Sequence, residues 1–493
     1  LTGTGCEDQK QAPSETVVAA SEADVVRFCG DCHAYPKPET FPVDKWREEV
    51  VQGFQFYRDS GRTDLGPPDL EAVVSYYEQN APQGLMIPLP QGKPDSGPVA
   101  FREVRMARVD ARVPAISHIR YVTESSALRG NLVVSDMLSG TISKVHFDRG
   151  HPTAKTLHTD VPHPAHVEIC DLDSDGKEDW LVSDLGSFDP ADHHLGRLLW
   201  LRVSPTGLVY SSSVLLENVG RVADARPGDF DGDGDQDIVV AVFGWRQTGK
   251  LLWLEQTQSS AGIAFEQHLL KDQHGCSHVP IVDIDSDGDL DLIALFSQEF
   301  ESIELFTNDG QGSFSNSVLF AAQDPSYGSS SIELVDLDRD DDLDLLYTNG
   351  DSFDSHLIKP YHSLQWLENT GGQNFEHHHL DFLPGAYGAK AGDLDNDGDL
   401  DIVVCAMTLN FTHNFYMLAW FEQTEPLSFT RHNLELSALQ HACLELGDFD
   451  SDGDLDIATG VFEPRPVRES DWLSIWWNDG ERVSHNSKPT AAR

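Results

Sequence analysis

The sequence predicts a mainly β chain in which seven four-stranded blades stand radially as a seven-bladed β-propeller, preceded by a small all-α unit. Three observations predict it. A nonapeptide of the form D-x-D-x-D-G-x-x-D occurs six times, with starts separated by 58, 54, 53, 57 and 55 residues, and so regular a period marks repeated supersecondary units. Each copy is followed by a short apolar run and then by a second apolar run, usually centred on Trp, the pattern of consecutive strands. The residues before position 83 carry no copy and show helical periodicity instead.

The chain has 493 residues, so two or more domains are expected from length alone. Residues 1–21 read as a signal-peptide remnant and polar tether. Leu1-Thr2-Gly3-Thr4-Gly5-Cys6 resembles a signal peptide running into a lipoprotein cysteine, although Gly3 stands where a larger aliphatic residue is usual. A lipid anchor at Cys6 and a plain unpaired thiol are the two readings of that residue.

Residues 22–82 read as a compact helical domain. Ser21 can cap a helix carrying Val25, Val26 and Phe28; Pro42 opens a second with Trp46, Val50, Val51 and Phe54; Asp69 begins a third over 70–80. The first helix runs into Cys29-Gly30-Asp31-Cys32-His33. Two thiols at this spacing can add to the two vinyl groups of one haem, while the adjacent imidazole reaches the iron. A zinc half-site, a redox CxxC and chance are the alternatives; a zinc site would need a second pair of ligands, and the seven cysteines contain no other CxxC.

The stretch CGDCHAYPKPETFP…W…DLEAVVSYY resembles class I-like cytochromes c. That resemblance implies a monohaem cytochrome c domain with Cys29 and Cys32 as attachment points and His33 as proximal ligand. One feature departs. Such cytochromes place a distal Met before the last helix, and residues 34–69 contain neither Met nor His. Met86 is the nearest candidate, beside an open position, Lys37, or a side chain from the second domain. Residues 83–98 are rich in Pro, Gly and Gln and read as a linker.

The nonapeptides have the chemistry of calcium loops, with carboxylates at positions one, three, five and nine and a backbone carbonyl from seven. The ligand positions are Asp171, Asp173, Asp175, Lys177 and Asp179; Asp229, Asp231, Asp233, Asp235 and Asp237; Asp283, Asp285, Asp287, Asp289 and Asp291. The later copies place Asp336, Asp338, Asp340, Asp342 and Asp344; Asp393, Asp395, Asp397, Asp399 and Asp401; Asp448, Asp450, Asp452, Asp454 and Asp456. Gly at position six permits a left-handed turn. The fourth copy has Asp341 there and is expected to be weakest, while Lys177 is harmless if only its carbonyl binds. Up to six calcium ions are expected.

These loops, with runs such as Ile238-Val239-Val240 and strands such as LLWLE, resemble the FG-GAP or VCBS repeats of the integrin α-chain propeller. The resemblance covers roughly 99–480 and implies four strands per blade. Asn131-Leu132-Val133-Val134-Ser135-Asp136 parallels Asp179-Trp180-Leu181-Val182-Ser183-Asp184 and marks a seventh blade, whose segment 123–130 lacks the Asp array and is expected to bind no calcium. The last blade runs out near Asp479, and Val99 to Met106 has no preceding partner. The N-terminal strand is therefore expected to complete the last blade, leaving 481–493 as a tail.

The face opposite the loops collects unusual residues. His166, Asp224 and His278 all lie five residues before their loops and should approach the central axis. His441 is a further candidate, and together these four are the candidates for a catalytic or ligand-binding site. A transition metal, a substrate and a second cofactor are the ligands weighed there, against a satisfied polar lining. The run His377-His378-His379 is expected to be solvent-exposed on an outer strand.

The 82 acidic and 34 basic residues give a formal charge of −48, which repels nucleic acid and anionic lipid. No apolar run is long enough to span a bilayer. No hydrolase triad, phosphate loop or nicotinamide fingerprint is present. The whole chain resembles exported planctomycete-type cytochrome/VCBS-repeat proteins, which implies a periplasmic or cell-surface protein. Three functions are open: electron transfer to or from a redox partner protein or small molecule with the propeller as docking platform; a haem-coupled oxidoreductase working on the His-rich face; and adhesion.

Overall fold

The computed structural model of the chain describes residues 18–107, 113–123, 128–148, 150–204, 209–259, 262–353, 355–463 and 471–481. Two compact units divide at Met86/Ile87. Cys6 and the tail from 482 lie outside the described residues, as do 124–127 of the segment expected to lack calcium. Among the described residues no helix is long and apolar enough to cross a membrane.

In the first unit, α1 (Glu22–Cys29) is capped by Ser21, whose side chain accepts from the Asp24 amide. The second helix, α2 (Trp46–Asp59), begins four residues after Pro42, because a turn from Pro42 to Lys45 intervenes. Asp69 caps α3 (Leu70–Asn80), as expected. Helical spacing turns Val25 and Phe28, Trp46, Val50 and Phe54, and Val73, Val74 and Tyr77 inward. Trp46 stacks on Tyr77 with centroids 3.8 Å apart, and its indole N–H donates to the Pro38 and Phe41 carbonyls. An aromatic pair so placed adds about 1 kcal/mol beyond area burial.

The second unit is a ring of seven antiparallel blades. Their inner strands are Ile116–Tyr121, Pro164–Cys170, Val222–Gly228, Cys276–His278 with Ile281–Val282, Ser331–Val335, Ala386–Gly392 and His441–Gly447, here blades 1 to 7. Each inner strand touches the next, and the seventh touches the first. The second strands are buried along their whole length, Asp237–Val242 and Asp401–Ala406 among them. Both faces of a blade press on neighbours, so these strands read as continuous apolar runs rather than alternating ones.

Closure follows the expected route. Val99–Ala107 pairs with Asp471–Glu481 as outermost strand of blade 7, with Arg102 opposite Trp477 and Val104 opposite Ile475. The pairing ties a strand from the start of the propeller to one near its end and removes two open edges. Residues 87–98, expected as linker, belong to the propeller unit: Asp95 bridges to Asn433, Ser96 accepts from the Trp420 indole, and Gln91 accepts from the Tyr416 hydroxyl.

Candidate functional site

All six nonapeptides lie between the inner and second strands of blades 2 to 7, on one face of the ring. The position-one carboxylate winds each loop by accepting backbone amides, as Asp171 does from Asp175 and Gly176 at 3.0 and 2.9 Å. Position nine anchors the loop to the blade. Asp237 accepts from Phe230 and Gln256 at 3.2 and 2.7 Å, and Asp456 from Phe449 and Asn478 at 3.0 and 2.9 Å. Carboxylate oxygens of Asp171, Asp173 and Asp179 then lie within 4.8 Å of one another, as do those of Asp283, Asp285 and Asp291 and of Asp336, Asp338 and Asp344.

This donor set fits a hard divalent cation: several carboxylates converge, and buried oxygens of Asp173, Asp235, Asp393 and Asp399 have no hydrogen-bond partner among the described residues. Burial, with the neighbouring negative charges, raises Asp237 to about 6 and Asp401 and Asp456 to about 7. Asp341 takes the left-handed conformation, φ 74°, that glycine takes in the other copies. The first loop differs in a way not expected from its sequence. Lys177 Nζ lies 2.5 Å from Asp175 and Arg202 donates to Asp173 at 2.8 Å, so Lys177 engages the loop through its side chain.

The CxxCH segment leaves the end of α1. Cys29 is half-buried and Cys32 exposed, both as free thiols. His33 Nδ1 lies 2.7 Å from the Ala34 carbonyl, a contact that fixes the ring tautomer and leaves Nε2 for a ligand. Burial pushes the Cys29 thiol up to about 11, opposite to the direction a thiol-exchange nucleophile needs. Met86 is 88 % exposed.

On the propeller axis a cavity of about 350 Å³ is lined by residues of all seven inner strands. A bulge precedes the same position in six of them, and the residues there are His118, His166, Asp224, His278, Gly388 and Cys443, with Ser331 in blade 5. Two residues further on, equivalent positions hold Arg120, Glu168, Arg226, Pro280, Glu333, Lys390 and Glu445. Charge alternates around that second tier. Arg120 pairs with Glu168, Arg226 reaches Glu168 and Asp224 at 3.0 Å each, and Lys390 meets Glu333 at 2.8 Å. Despite burial, a hydrogen bond with His166 and then the Arg226 and Arg120 charges hold Glu168 at about 2, and Arg226 above all holds Asp224 well below the usual carboxylate range.

His166 Nε2 lies 3.2 Å from Glu168 and 3.6 Å from Asp224, and its ring lies 4.1 Å from that of His118. His278 Nε2 donates to the Ser330 carbonyl at 3.1 Å. The fold thus gathers His166, Asp224 and His278 as their offset predicts. His118 is the neighbour that counting back from a loop missed, because blade 1 has no such loop. A shared signal exists: Ser117-His118-Ile119 matches Ala165-His166-Val167 and Ser277-His278-Val279.

His441 does not join them. It is buried in blade 7, bonded to Glu435 at 2.9 Å and to the Gly460 carbonyl at 3.0 Å, because it stands before the bulge while Cys443 takes the axial position. The outer-strand histidines are also more engaged than expected. His378 pairs with Glu368 at 2.7 Å and stacks on Trp366, and His377 bonds Gln365 at 2.6 Å. Above the axial histidines, Phe188, Phe353 and Phe462 from blades 2, 5 and 7 meet with centroids 5.9 and 5.7 Å apart and form an apolar collar.

The repeat chemistry and the blade geometry coincide over 229–347, where residues 229–294 and 283–347 match the model of the FG-GAP-like repeat. These are FG-GAP-like repeats. A search of curated proteins gives no significant match. Among solved structures, the chain is similar to rhamnogalacturonan lyase YesW, at 12 % identity over 71 % of this chain and 74 % of that one, TM-score 0.38. It is likewise similar to the Bacillus licheniformis rhamnogalacturonan lyase PL11 (12 %, 69 % and 66 %, TM-score 0.38) and to the Dos1 propeller (9 %, 75 % and 80 %, TM-score 0.42).

Proposed function

We propose that this FG-GAP-repeat propeller carries one covalent c-type haem on its helical domain and works in electron transfer outside the cytoplasm, its loops holding calcium and its propeller serving as docking platform. The observation that carries the reading is the CxxCH segment at the end of α1, with free thiols and an imidazole whose Nδ1 is tied to a backbone carbonyl. A haem bound there supplies one-electron chemistry. Cys29 and Cys32 would fix its position, and His33 would present Nε2 to it. The oxygen-rich loops support calcium because their carboxylates converge and several buried oxygens lack a hydrogen-bond partner among the described residues.

Full-length protein made with cytochrome maturation machinery should give a c-type pyridine haemochrome spectrum that disappears in Cys29→Ala/Cys32→Ala. Wild type with no haem spectrum would sink the reading.

The axial cavity favours a second reading, in which the propeller itself binds a substrate and the haem accepts its electrons. Reduction of the oxidised haem by a small molecule, slowed in His166→Ala, would support it; equal rates in wild type and variant would remove the cavity from the reaction.

A further inference from the structure

Three imidazoles on the propeller axis share an arrangement that a polar lining does not require. In each, the fold accounts for one ring nitrogen or leaves one bare. His166 Nε2 faces the Glu168 and Asp224 carboxylates, which frees Nδ1. His278 Nε2 donates to the Ser330 carbonyl, which again frees Nδ1. His118 Nδ1 is buried with no hydrogen-bond partner among the described residues. A buried ring nitrogen left bare is destabilising, so its persistence points to a partner that the protein atoms do not supply.

The rings of His118 and His166 lie 4.1 Å apart. Asp224 is saturated by Arg226 and the Ala225 and Val279 amides, so it orients His166 rather than offering a free oxygen. The carboxylates behind His166 and the carbonyl behind His278 are the support that metal-bound histidines use to fix tautomer and raise basicity.

The three residues occupy the same axial tier in blades 1, 2 and 4, on the wall of one cavity. We infer that this cavity binds a single borderline divalent transition-metal ion, of the zinc or copper class, through His118, His166 and His278, a site separate from the oxygen-donor loops. Neutral imidazoles select such ions, whereas carboxylates select calcium. The cavity leaves room beside the ion for a small ligand, under the collar of Phe188, Phe353 and Phe462.

The inference stands independently of the haem. The test uses the full haem-loaded chain, stripped of divalent ions by a chelator and returned to excess calcium so that the loops are filled. Zinc titrated by calorimetry should then bind with one tight equivalent. That equivalent should vanish in His118→Ala/His166→Ala and weaken by about 10–100-fold in Asp224→Asn, while calcium stoichiometry stays the same. On wild type, bound copper(II) should show nitrogen hyperfine structure from imidazole, a readout that needs no variant to fold. No zinc equivalent in wild type, an equivalent that survives the double substitution in folded protein, or an oxygen-only copper spectrum would each overturn the site.

Discussion

Asp237 and Asp224 belong to one blade and are both buried, yet they are pushed in opposite directions. Asp237, at the end of its loop, rises to about 6, since burial and neighbours such as Asp231 disfavour its charge. Asp224, on the axis, is held well below the usual carboxylate range, since Arg226, His166 and His278 favour it. The loops gather acid without enough base, while the axial tier of Arg120, Glu168, Arg226, Glu333, Lys390 and Glu445 carries its own counter-charges in alternation. A self-neutralised ring carries its own counter-charges, whereas a crowded acidic loop gains most from an ion supplied from outside. On the proposed reading the six loops tie stability to calcium, whereas the axis carries its own ion pairs.

That contrast can be broken in four ways. The largest effect should come from a calcium chelator, which should lower the melting temperature by roughly 10 °C or more, because each of six sites that binds only in the folded state adds stability that grows with the logarithm of calcium concentration over Kd. An unchanged melt would make the loops solvated turns. Next comes Arg226→Ala, which leaves Glu168 and Asp224 short of a buried cation and should cost about 3–5 kcal/mol in denaturant unfolding, with or without calcium. A loss seen only without calcium would mean that axis and loops are not separate.

A single-loop change is smaller. Asp283→Ala should remove one calcium equivalent and cost about 2 kcal/mol more in calcium buffer than without calcium, where only its hydrogen bonds to the Asp287 and Gly288 amides are lost. The smallest effect is pH-dependent. Burial raises Glu445 to about 7, with Lys390 opposing and Glu333 adding to the rise. A carboxyl whose folded value is raised binds its proton more tightly in the folded state, so wild type loses stability as pH climbs from about 4.5 to about 7. Glu445→Gln should match wild type near pH 5 and exceed it by about 1 kcal/mol above pH 7. Parallel pH profiles would show that the ring already compensates Glu445.

Much of the propeller was legible because each repeat states its own register. Six Asp arrays fixed where inner strands end, and the orphan strand from Val99 had one vacant edge to fill. The axial site was legible only in part. Counting five residues back from each loop finds His166, Asp224 and His278, but not His118, whose blade has no loop to count from. The same count cannot see that Cys443, not His441, occupies the axial position, since a bulge shifts the register between them. The alternating second tier was missed because its members are scattered singly through the chain and meet only when the ring closes. Lys177 and Arg202 show the reverse limit: the loop motif is local, but the Arg202 that occupies the first loop comes from the third strand of its blade.

The helical unit gives a different lesson. Ser21, Asp69 and the buried aromatic residues define its helices from sequence, while the start of α2 shifted because a turn from Pro42 comes first. Its proposed chemistry rests on five residues, Cys29 to His33. The most direct measurement is therefore combined haem and metal analysis of the full chain purified from a host with cytochrome maturation machinery. The account predicts one iron per chain as covalent c-type haem, together with up to six calcium ions; a folded protein that carries no haem would contradict it.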